Sequence, residues 1–505
     1  MSAAGLLRAR LLATLGRPEA LLALADRLEE KGAGIAAVRQ VATAARSGLP
    51  DAQARLGLCY LAGKGVPASE SEARHWLLQA AAAGNATAQT ALASLALRGI
   101  GGPCERGSSE RGPFQKRDET GEPDPALAAA YARQGAKGGS AEAQALLACV
   151  LEGNAGLERE PGEVAALYRA SAAAGWPLGH LGHARMLMET GTVEALAEAL
   201  IHLRAAAVSG LPTACFLLGI LLEAGASGEP DAAGAVVHYR AGAQHGHTGA
   251  KTRLGLALLT GRGTALNVVE GETWLRRAAL DGDPLAAAVL GDFHACADPA
   301  AQGREEAARW YRRAAEGGHA GAAHALARAI AAGAEGRPDP GEAAVWLRAA
   351  ITGGNAAAWP EFGGLLLSRA IPAMGLPATL SWLADTMRGG QGEAAYYLGV
   401  CANCGIGMET DEALARRHYL HAASLGFLEG MVAAGEMLVN GRGGATDPGL
   451  AAALFRHAAR HDHPGAVYAL GVLAGTNAGE AMAWFQRAAA LGHPAARVLM
   501  DKAAA

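Results

Sequence analysis

Residues 51–86 read DAQARLGLCYLAGKGVPASESEARHWLLQAAAAGNA. The first half places apolar side chains such as Leu56 and Tyr60 at helical spacing, which predicts one helix with an apolar face. Glycines and Pro67 then break that helix, and Ser69 opens a second apolar helix with the spacing of a capping box. The stretch therefore predicts an antiparallel hairpin of two helices.

The same pattern returns every 36 residues from Leu218 to Gly471 without gaining or losing a position. A fixed period in the range of about 20–50 residues is the signature of a solenoid, in which each unit buries its apolar face against its neighbours. A small residue marks each copy, and we call its position the register position. An alanine five residues earlier completes a small-residue seam, which predicts a close approach of the two helices. The tryptophans nineteen residues later are expected to fill the gap between units. The register positions are Gly219, Gly255, Gly291, Ala327, Gly363, Gly399, Gly435 and Gly471.

Composition and charge narrow the class of protein. The 505 residues carry a net charge of −4, so nothing favours nucleic acid as a partner. Arg8 and Arg10 interrupt the N-terminal apolar residues, and no cleavable signal peptide is expected. The longest uncharged run, 205–222, contains Gly210 and Pro212, so no membrane span is expected. Seven scattered cysteines indicate reduced thiols and a cytoplasmic location.

The pattern A-x3-LG-x2-Y-x2-G-x-GV followed by A-x2-W-x2-AA-x2-G resembles the Sel-1-like repeat, a relative of the tetratricopeptide repeat. The resemblance extends from about Ala20 to Pro494. It implies a family member of bacterial type with an all-α fold. That fold is a right-handed α/α superhelical solenoid of about thirteen two-helix repeats of about 36 residues. In the quoted copy the matching residues are Ala52, Leu56, Gly57, Tyr60, Gly63, Gly65, Val66, Ala73, Trp76, Gln79, Ala80, Ala81 and Gly84.

Three segments are expected along the chain. Residues 1–50 form an N-terminal cap with a degenerate first repeat, 51–494 form the repeat array, and 495–505 form a C-terminal cap helix. The register distance between Ala93 and Ala148 is 19 residues too long, which indicates an insertion near 103–125. This insertion is either a surface loop or a docking segment.

Motifs that suggest chemistry have structural interpretations. Cys401-x-x-Cys404 lacks two further ligands for a zinc site, and the βαβ context of a redox pair is absent, so both thiols are expected at the end of a first helix. The histidines recur in phase with the repeat and indicate a helix-end preference, so no metal site, cofactor or catalytic residue is predicted. The clusters that invite a metal hypothesis are His238, His245, His247 and His457, His461, His463. The recurring helix-end positions are His247, His319, His463 and His493.

By analogy with tetratricopeptide geometry, a concave groove is expected to be lined by the positions three before, one after and four after the register position; we call these the groove positions. The alternative is that many of them serve only packing between units. Asp292 and Arg328 lie in adjacent units, where they could form a salt bridge or bind a peptide group together. The candidate partner-binding residues are Phe216, Asp292, His324, Arg328, Tyr396, Glu436 and Tyr468.

The resemblance implies a scaffold or adaptor that binds a peptide or protein partner in its groove, and some bacterial relatives act in signalling or in envelope and exopolysaccharide regulation. A hydrolase of the β-lactam-binding type is the alternative implied by cysteine-rich relatives. This chain lacks their paired-cysteine pattern, so it is not expected to be an enzyme. A purely structural or oligomer-forming solenoid is the third alternative.

Overall fold

The computed structural model describes residues 17–99, 122–154, 156–226, 228–297, 301–334, 336–475 and 477–504. Over these residues the chain forms 27 α-helices and no strand. The helices follow one another as thirteen two-helix hairpins and a final helix, and within each unit most successive helices pack against each other. The predicted all-α solenoid of two-helix repeats is confirmed.

The chain divides into two compact units, Met1–Trp274 and Leu275–Ala505. Odd-numbered helices open the hairpins and even-numbered helices close them. The first unit contains α1 Pro18–Glu30, α2 Gly34–Arg46, α3 Pro50–Ala62, α4 Glu70–Ala82, α5 Ala86–Leu97, α6 Pro125–Lys137, α7 Ala141–Gly153, α8 Glu163–Ala173, α9 Pro177–Thr190, α10 Val193–Val208, α11 Pro212–Glu223, α12 Ala232–Gln244 and α13 Thr248–Thr260. Helix α14, Val268–Leu280, contains the boundary. The second unit continues with α15 Pro284–Ala297, α16 Ala301–Glu316, α17 Ala320–Ala331, α18 Pro340–Thr352, α19 Trp359–Leu367, α20 Leu376–Arg388, α21 Gly392–Cys404, α22 Glu412–Ser424, α23 Leu428–Val439, α24 Pro448–Arg460, α25 Pro464–Ala474, α26 Ala478–Ala490 and α27 Pro494–Ala504.

The register glycines make room for an aromatic ring of the same hairpin. A Cβ atom added to Gly435 would lie 2.5 Å from a ring carbon of Phe455, and one added to Gly399 would lie 2.6 Å from the ring of Tyr419. Each ring stands twenty residues after its glycine, beside the tryptophan position and not on it. The predicted close approach of the two helices is therefore confirmed, and a buried ring is the reason for it. The same pairing joins Gly219 to Tyr239, Gly291 to Tyr311 and, across a shorter turn, Gly471 to Phe485.

The tryptophans are half-buried on the even-numbered helices and pack on the core by one side only, which differs from the expectation of enclosed gap-fillers. Several of their indole N–H groups donate to a glutamate one helical turn earlier, as Trp310 does to Glu306 at 3.1 Å, whereas Trp382 donates to Thr352 Oγ1 at 3.1 Å. An arginine of the preceding even-numbered helix pairs with the same glutamate. The arginine–glutamate–tryptophan sets are Arg240, Glu270 and Trp274 in the first unit, and Arg276, Glu306, Trp310 and Arg312, Glu342, Trp346 in the second.

Side chains cap the helix starts as the sequence predicts. Ser69 Oγ accepts a hydrogen bond from the Glu72 backbone N–H at 3.3 Å. The recurring helix-end histidines act in the same way, because their imidazole Nδ1 atoms accept the backbone N–H three residues later at 3.0–3.3 Å. The predicted helix-end role of His247, His319, His463 and His493 is confirmed.

The described residues depart from the regular hairpin pattern near both ends of the chain. The first hairpin has a short loop, and the last hairpin is followed by one more helix, α27. Most of the insertion near 103–125 lies outside the described residues, as does the segment before residue 17; Asp124 already caps α6. Among the described helices, none combines the length and the apolar character needed to cross a bilayer.

Candidate functional site

In the first unit, the groove position Phe216 stacks on the capping histidine of the next odd-numbered helix. The ring of Phe216 lies 4.4 Å from that of His247, with an interplanar angle of 23°. His247 is held there because its Nδ1 atom caps α13. Burial lowers the pKa of the His247 imidazole, and the charge of Lys251 lowers it further. The ring is therefore neutral, and it offers a flat aromatic surface.

In the second unit, Tyr468 repeats this arrangement. Its ring stacks on His493 at 4.2 Å with an interplanar angle of 15°, and His493 caps α27 through Nδ1. Burial also lowers the pKa of His493. The two half-buried groove aromatics thus have one structural role in common, since each joins its own helix to the start of the next odd-numbered helix.

Asp292 is exposed and accepts a hydrogen bond from the Tyr311 hydroxyl at 2.8 Å. Burial raises the pKa of Tyr311, and the hydrogen bond to Asp292 raises it further, so the hydroxyl remains a donor. The salt bridge considered between Asp292 and Arg328 is not formed, because Arg328 has another partner. Its Nε atom lies 3.6 Å from Glu361 Oε1.

His324 and Arg328 converge on Glu361, which sequence reasoning missed. Glu361 Oε2 lies 3.2 Å from His324 Nε2, while Asn355 Nδ2 lies 3.4 Å from His324 Nδ1. His324 is mostly buried, whereas the Arg328 side chain is 70% exposed. The spacings from these two residues to Glu361 are not multiples of the repeat, so no periodic signal points to the acid. The result is a charged surface cluster on α17 and α19 that we call the Glu361 cluster: His324, Arg328, Asn355 and Glu361.

Tyr396 and Glu436 also lie close together in the second unit. Tyr396 contacts Tyr419 and Phe427 at ring separations of 5.6 and 5.4 Å. Burial raises the pKa of Tyr396, and the negative charges of Glu429 and then Glu436 raise it further. Burial raises the pKa of Glu436 itself, although its residue surface remains exposed. This part of α21 and α23 therefore presents an aromatic ring edged by carboxylates.

A run of aromatic rings beside Tyr396 was not foreseen. Trp359 stacks on Tyr397 at 5.6 Å, and its ring lies 5.5 Å from that of Trp382. Tyr397, from the following hairpin, occupies the space above Gly363 that elsewhere belongs to a ring of the same hairpin. The rings stabilise the irregular hairpin α19–α20, whose first helix begins with a 3₁₀ turn at Ala356–Ala358.

A cavity of about 260 Å³ opens between α11, α12 and α13 in the first unit. Glu223 occupies its polar side, where its carboxylate accepts a hydrogen bond from the Tyr239 hydroxyl at 2.7 Å. Arg262 Nη1 lies 3.2 Å and Arg253 Nη1 3.8 Å from the same carboxylate. Two arginines face one carboxylate, so the polar side of the cavity carries a net charge of +1, and the remaining lining residues are mostly apolar.

The two thiols of the Cys401-x-x-Cys404 motif differ in burial, and Cys404 is exposed. Cys401 and Cys404 lie at the end of α21, as predicted, and Cys401 is fully buried. Burial raises the pKa of the Cys401 thiol to about 12, which suppresses the thiolate that redox or metal chemistry needs. All six cysteines in the described part of the chain are free thiols.

Comparisons with known proteins agree with this architecture. A family model described as Sel1 repeat matches more than half of the chain, at residues 50–85, 118–140, 212–247, 249–283, 284–319, 320–355, 392–427, 428–463 and 464–493. A search of curated proteins found no match. Among solved structures, a protective antigen of uropathogenic Escherichia coli displaying an SLR fold is 23% identical, with a TM-score of 0.51, over 92% of this chain and 97% of the other. A Sel1 repeat protein from Oxalobacter formigenes is 22% identical over 72% of this chain and 91% of the other, with a TM-score of 0.35.

Proposed function

Because the chain belongs to the Sel1 repeat family, we propose that it is a scaffold or adaptor that binds a peptide or protein partner on the exposed face of its odd-numbered helices. The observation that carries the proposal is the Glu361 cluster. In that cluster an exposed guanidinium and a mostly buried imidazole face the same carboxylate, at positions that are apolar or glycine in most other hairpins.

The groove aromatics support the same role. Phe216, Tyr396 and Tyr468 are half-buried and held by ring stacks, so they keep part of an aromatic surface accessible in a fixed orientation. Rigid aromatic and arginine side chains are the residues that most often dominate the energy of a protein interface. We propose that the aromatics supply apolar contact and that the Glu361 cluster fixes the register of the bound chain.

The test is capture of partners on the immobilised full chain, followed by mass spectrometry. The double variant Arg328→Ala Glu361→Ala removes the exposed ion pair of the cluster. Its matched control, Arg388→Ala Asp385→Ala, removes another exposed ion pair from the even-numbered helix α20 of the same unit. We expect at least about a tenfold loss of a specific partner in the first variant, since an interface anchor is worth more than about 1–2 kcal/mol, and full capture by the control.

Equal capture by both double variants, with unchanged thermal melting, would remove the Glu361 cluster from the binding surface. Replacement of Tyr396 or Tyr468 is a weaker test, because both rings contribute to packing and their loss would also change stability.

We further propose that this binding takes place in the cytoplasm. The six described cysteines are all unpaired, and reducing compartments maintain thiols in that form. Fractionation of native cells with an antibody against the chain tests this, and recovery of the protein outside the cytoplasmic fraction would contradict it.

A further inference from the structure

Helices α9 and α10 bring three histidines and a glutamate together. His180 and His183 lie on one face of α9, one turn apart, and Glu198 and His202 face them from α10. The ligand atoms of His183, Glu198 and His202 all lie within 4.8 Å of one another. Glu198 Oε1 is 3.7 Å from His183 Nε2 and 3.8 Å from His202 Nε2. We call these four residues the α9–α10 cluster.

The cluster breaks the repeat at its most regular position. Ala184 occupies the register position of this hairpin, 36 residues after Ala148. The residue before the register position is a buried leucine in most other hairpins, such as Leu147 and Leu218, yet here it is His183, which is only 6% exposed. The repeat therefore has an imidazole in the place of a core leucine.

This substitution is unfavourable for packing alone. The Nδ1 atom of His183 is buried and has no hydrogen-bond partner. A buried polar atom without a partner destabilises the fold, so packing alone does not account for an imidazole at this position. The other ring nitrogen, Nε2, lies 3.7 Å from Glu198 Oε1 and is the atom available to an ion.

Glu198 also has different partners from the equivalent glutamate of a later hairpin. Glu198 occupies the helical position of Glu270, which elsewhere pairs with an arginine of the preceding hairpin and with a tryptophan. In this hairpin the tryptophan is replaced by His202, and the equivalent arginine, Arg169, forms no ion pair with Glu198 among the described contacts. The carboxylate faces two imidazole nitrogens instead.

Two of the imidazoles are hydrogen-bonded to each other. His180 Nδ1 and His202 Nδ1 are 2.8 Å apart, so one of them donates to the other. When His202 is the donor, its Nε2 atom keeps a free lone pair directed toward Glu198.

We propose that His183, His202 and Glu198 bind one divalent transition-metal ion and that His180 positions His202. Two imidazoles and one carboxylate are a known zinc donor set that leaves a further coordination position for water. The donors need to move together by roughly one ångström or less to reach bond lengths of about 2.0–2.2 Å. The Glu198 side chain is 55% exposed, which gives the ion a path from solvent.

The ion would join both helices of one hairpin, so its binding is expected to stabilise α9–α10. Arg169 acts against the ion by charge repulsion, since it already opposes a proton on His183. Imidazole ligands favour zinc, copper, nickel and iron over magnesium and calcium.

The test is titration of the full chain with Zn²⁺ by calorimetry, and with Co²⁺ by visible absorption. The exposed pair His457 and His461 is one helical turn apart and could bind metal weakly by itself, so both are replaced by alanine in the reference protein. We expect one Zn²⁺ per reference chain, a higher melting temperature with Zn²⁺ than without it, and a Co²⁺ spectrum of a low-coordinate nitrogen–oxygen site.

His183→Leu is the decisive variant, because it restores the residue that other hairpins carry and is expected to fold at least as stably. It should weaken Zn²⁺ binding by at least about 100-fold. Glu198→Gln should weaken it too, while the control Glu270→Gln, at the same helical position of a later hairpin, should not. His180→Ala should weaken binding by about 10–100-fold and change the Co²⁺ spectrum, as expected when the orientation of a ligand is lost.

Two results would overturn the proposal. One is a reference chain that binds no Zn²⁺. The other is a His183→Leu variant that binds Zn²⁺ as tightly as the reference, because the ion would then be bound elsewhere.

Discussion

At the scale of the residue, several hairpins contain a register glycine with an aromatic ring packed directly over it. Phe455 is 1% exposed and lies directly over Gly435. The glycine is therefore required for space and not for backbone conformation, since it lies inside helix α23.

Gly435→Ala should destabilise the protein by about 1–3 kcal/mol, because the new methyl group overlaps the ring of Phe455 in a packed core. Gly364→Ala is the matched control. It is also a helical glycine, but an added Cβ meets nothing within 4 Å, so the substitution should be neutral or stabilise by up to about 1 kcal/mol. Urea unfolding of both variants measures the difference. A destabilisation of Gly435→Ala no larger than that of the control would show that the ring can move aside.

The capping histidine His247 makes stability depend on pH. Burial lowers the pKa of His247 in the folded protein, and its Nδ1 atom accepts a hydrogen bond only while the ring is neutral. The unfolded chain, with a histidine pKa of about 6.5, takes up a proton first as the pH falls. The stabilising contribution is therefore complete above about pH 6.5 and is lost as the pH falls through the folded-state pKa.

His247→Asn replaces this cap with one that does not titrate. In urea unfolding across that pH range, the variant should lose less stability on acidification than the parent, even though it lacks the stack with Phe216. Equal pH dependence of the two proteins would show that the His247 cap does not contribute.

At the scale of the element, the even-numbered helices are joined along their surface by arginine–glutamate–tryptophan contacts. The guanidinium of Arg312 on α16 pairs with Glu342 on α18 at 2.6 Å and lies over the ring of Trp346. Each such set joins one hairpin to the next, which the packing of a single hairpin cannot do.

A double-mutant cycle on Arg312→Ala and Glu342→Ala should give a coupling of about 0.5–1 kcal/mol, because both groups are partly shielded and their geometry is fixed by the indole. The comparison pair Arg309 and Glu305 lies within one helix and is more exposed, so its coupling should be about 0.3–0.5 kcal/mol. Both couplings should fall at high salt. A coupling for the first pair no larger than for the second would contradict a role in joining hairpins.

The sequence predicted these elements well and their polar contacts poorly. Hairpins, caps and the small-residue seam are local or periodic, so one clear copy at residues 51–86 was sufficient. Glu361 could not be found in this way, because its partners His324 and Arg328 lie in the previous hairpin at separations unrelated to the period. The α9–α10 cluster was not predicted from the sequence, because this hairpin lies outside the uninterrupted stretch 218–471 and is one residue out of phase with it.

At the scale of the whole molecule, contacts within each unit are local in sequence. The strong helix–helix contacts join helices that are adjacent or next but one along the chain. Stability is then close to a sum of hairpin contributions and contributions from the contacts between neighbouring hairpins.

Phe455→Ala tests this locality. The loss of a fully buried aromatic ring should cost about 3–5 kcal/mol. Hydrogen exchange should rise in α23, α24 and α25, which contact the site, and remain unchanged in α1–α8 of the first unit. Faster exchange throughout the chain would instead show that the protein unfolds in one cooperative step.

The pairing of register glycine and ring also bears on how the gene can change. Because Gly435 and Phe455 are separated by only twenty residues, a duplication of one 36-residue segment can carry both partners intact into a new copy. Gly363 is different, since its ring comes from Tyr397 of the following hairpin. Recombination between those two hairpins separates a glycine from its ring, so we expect the number of repeats to vary between related genes more readily elsewhere than at this junction.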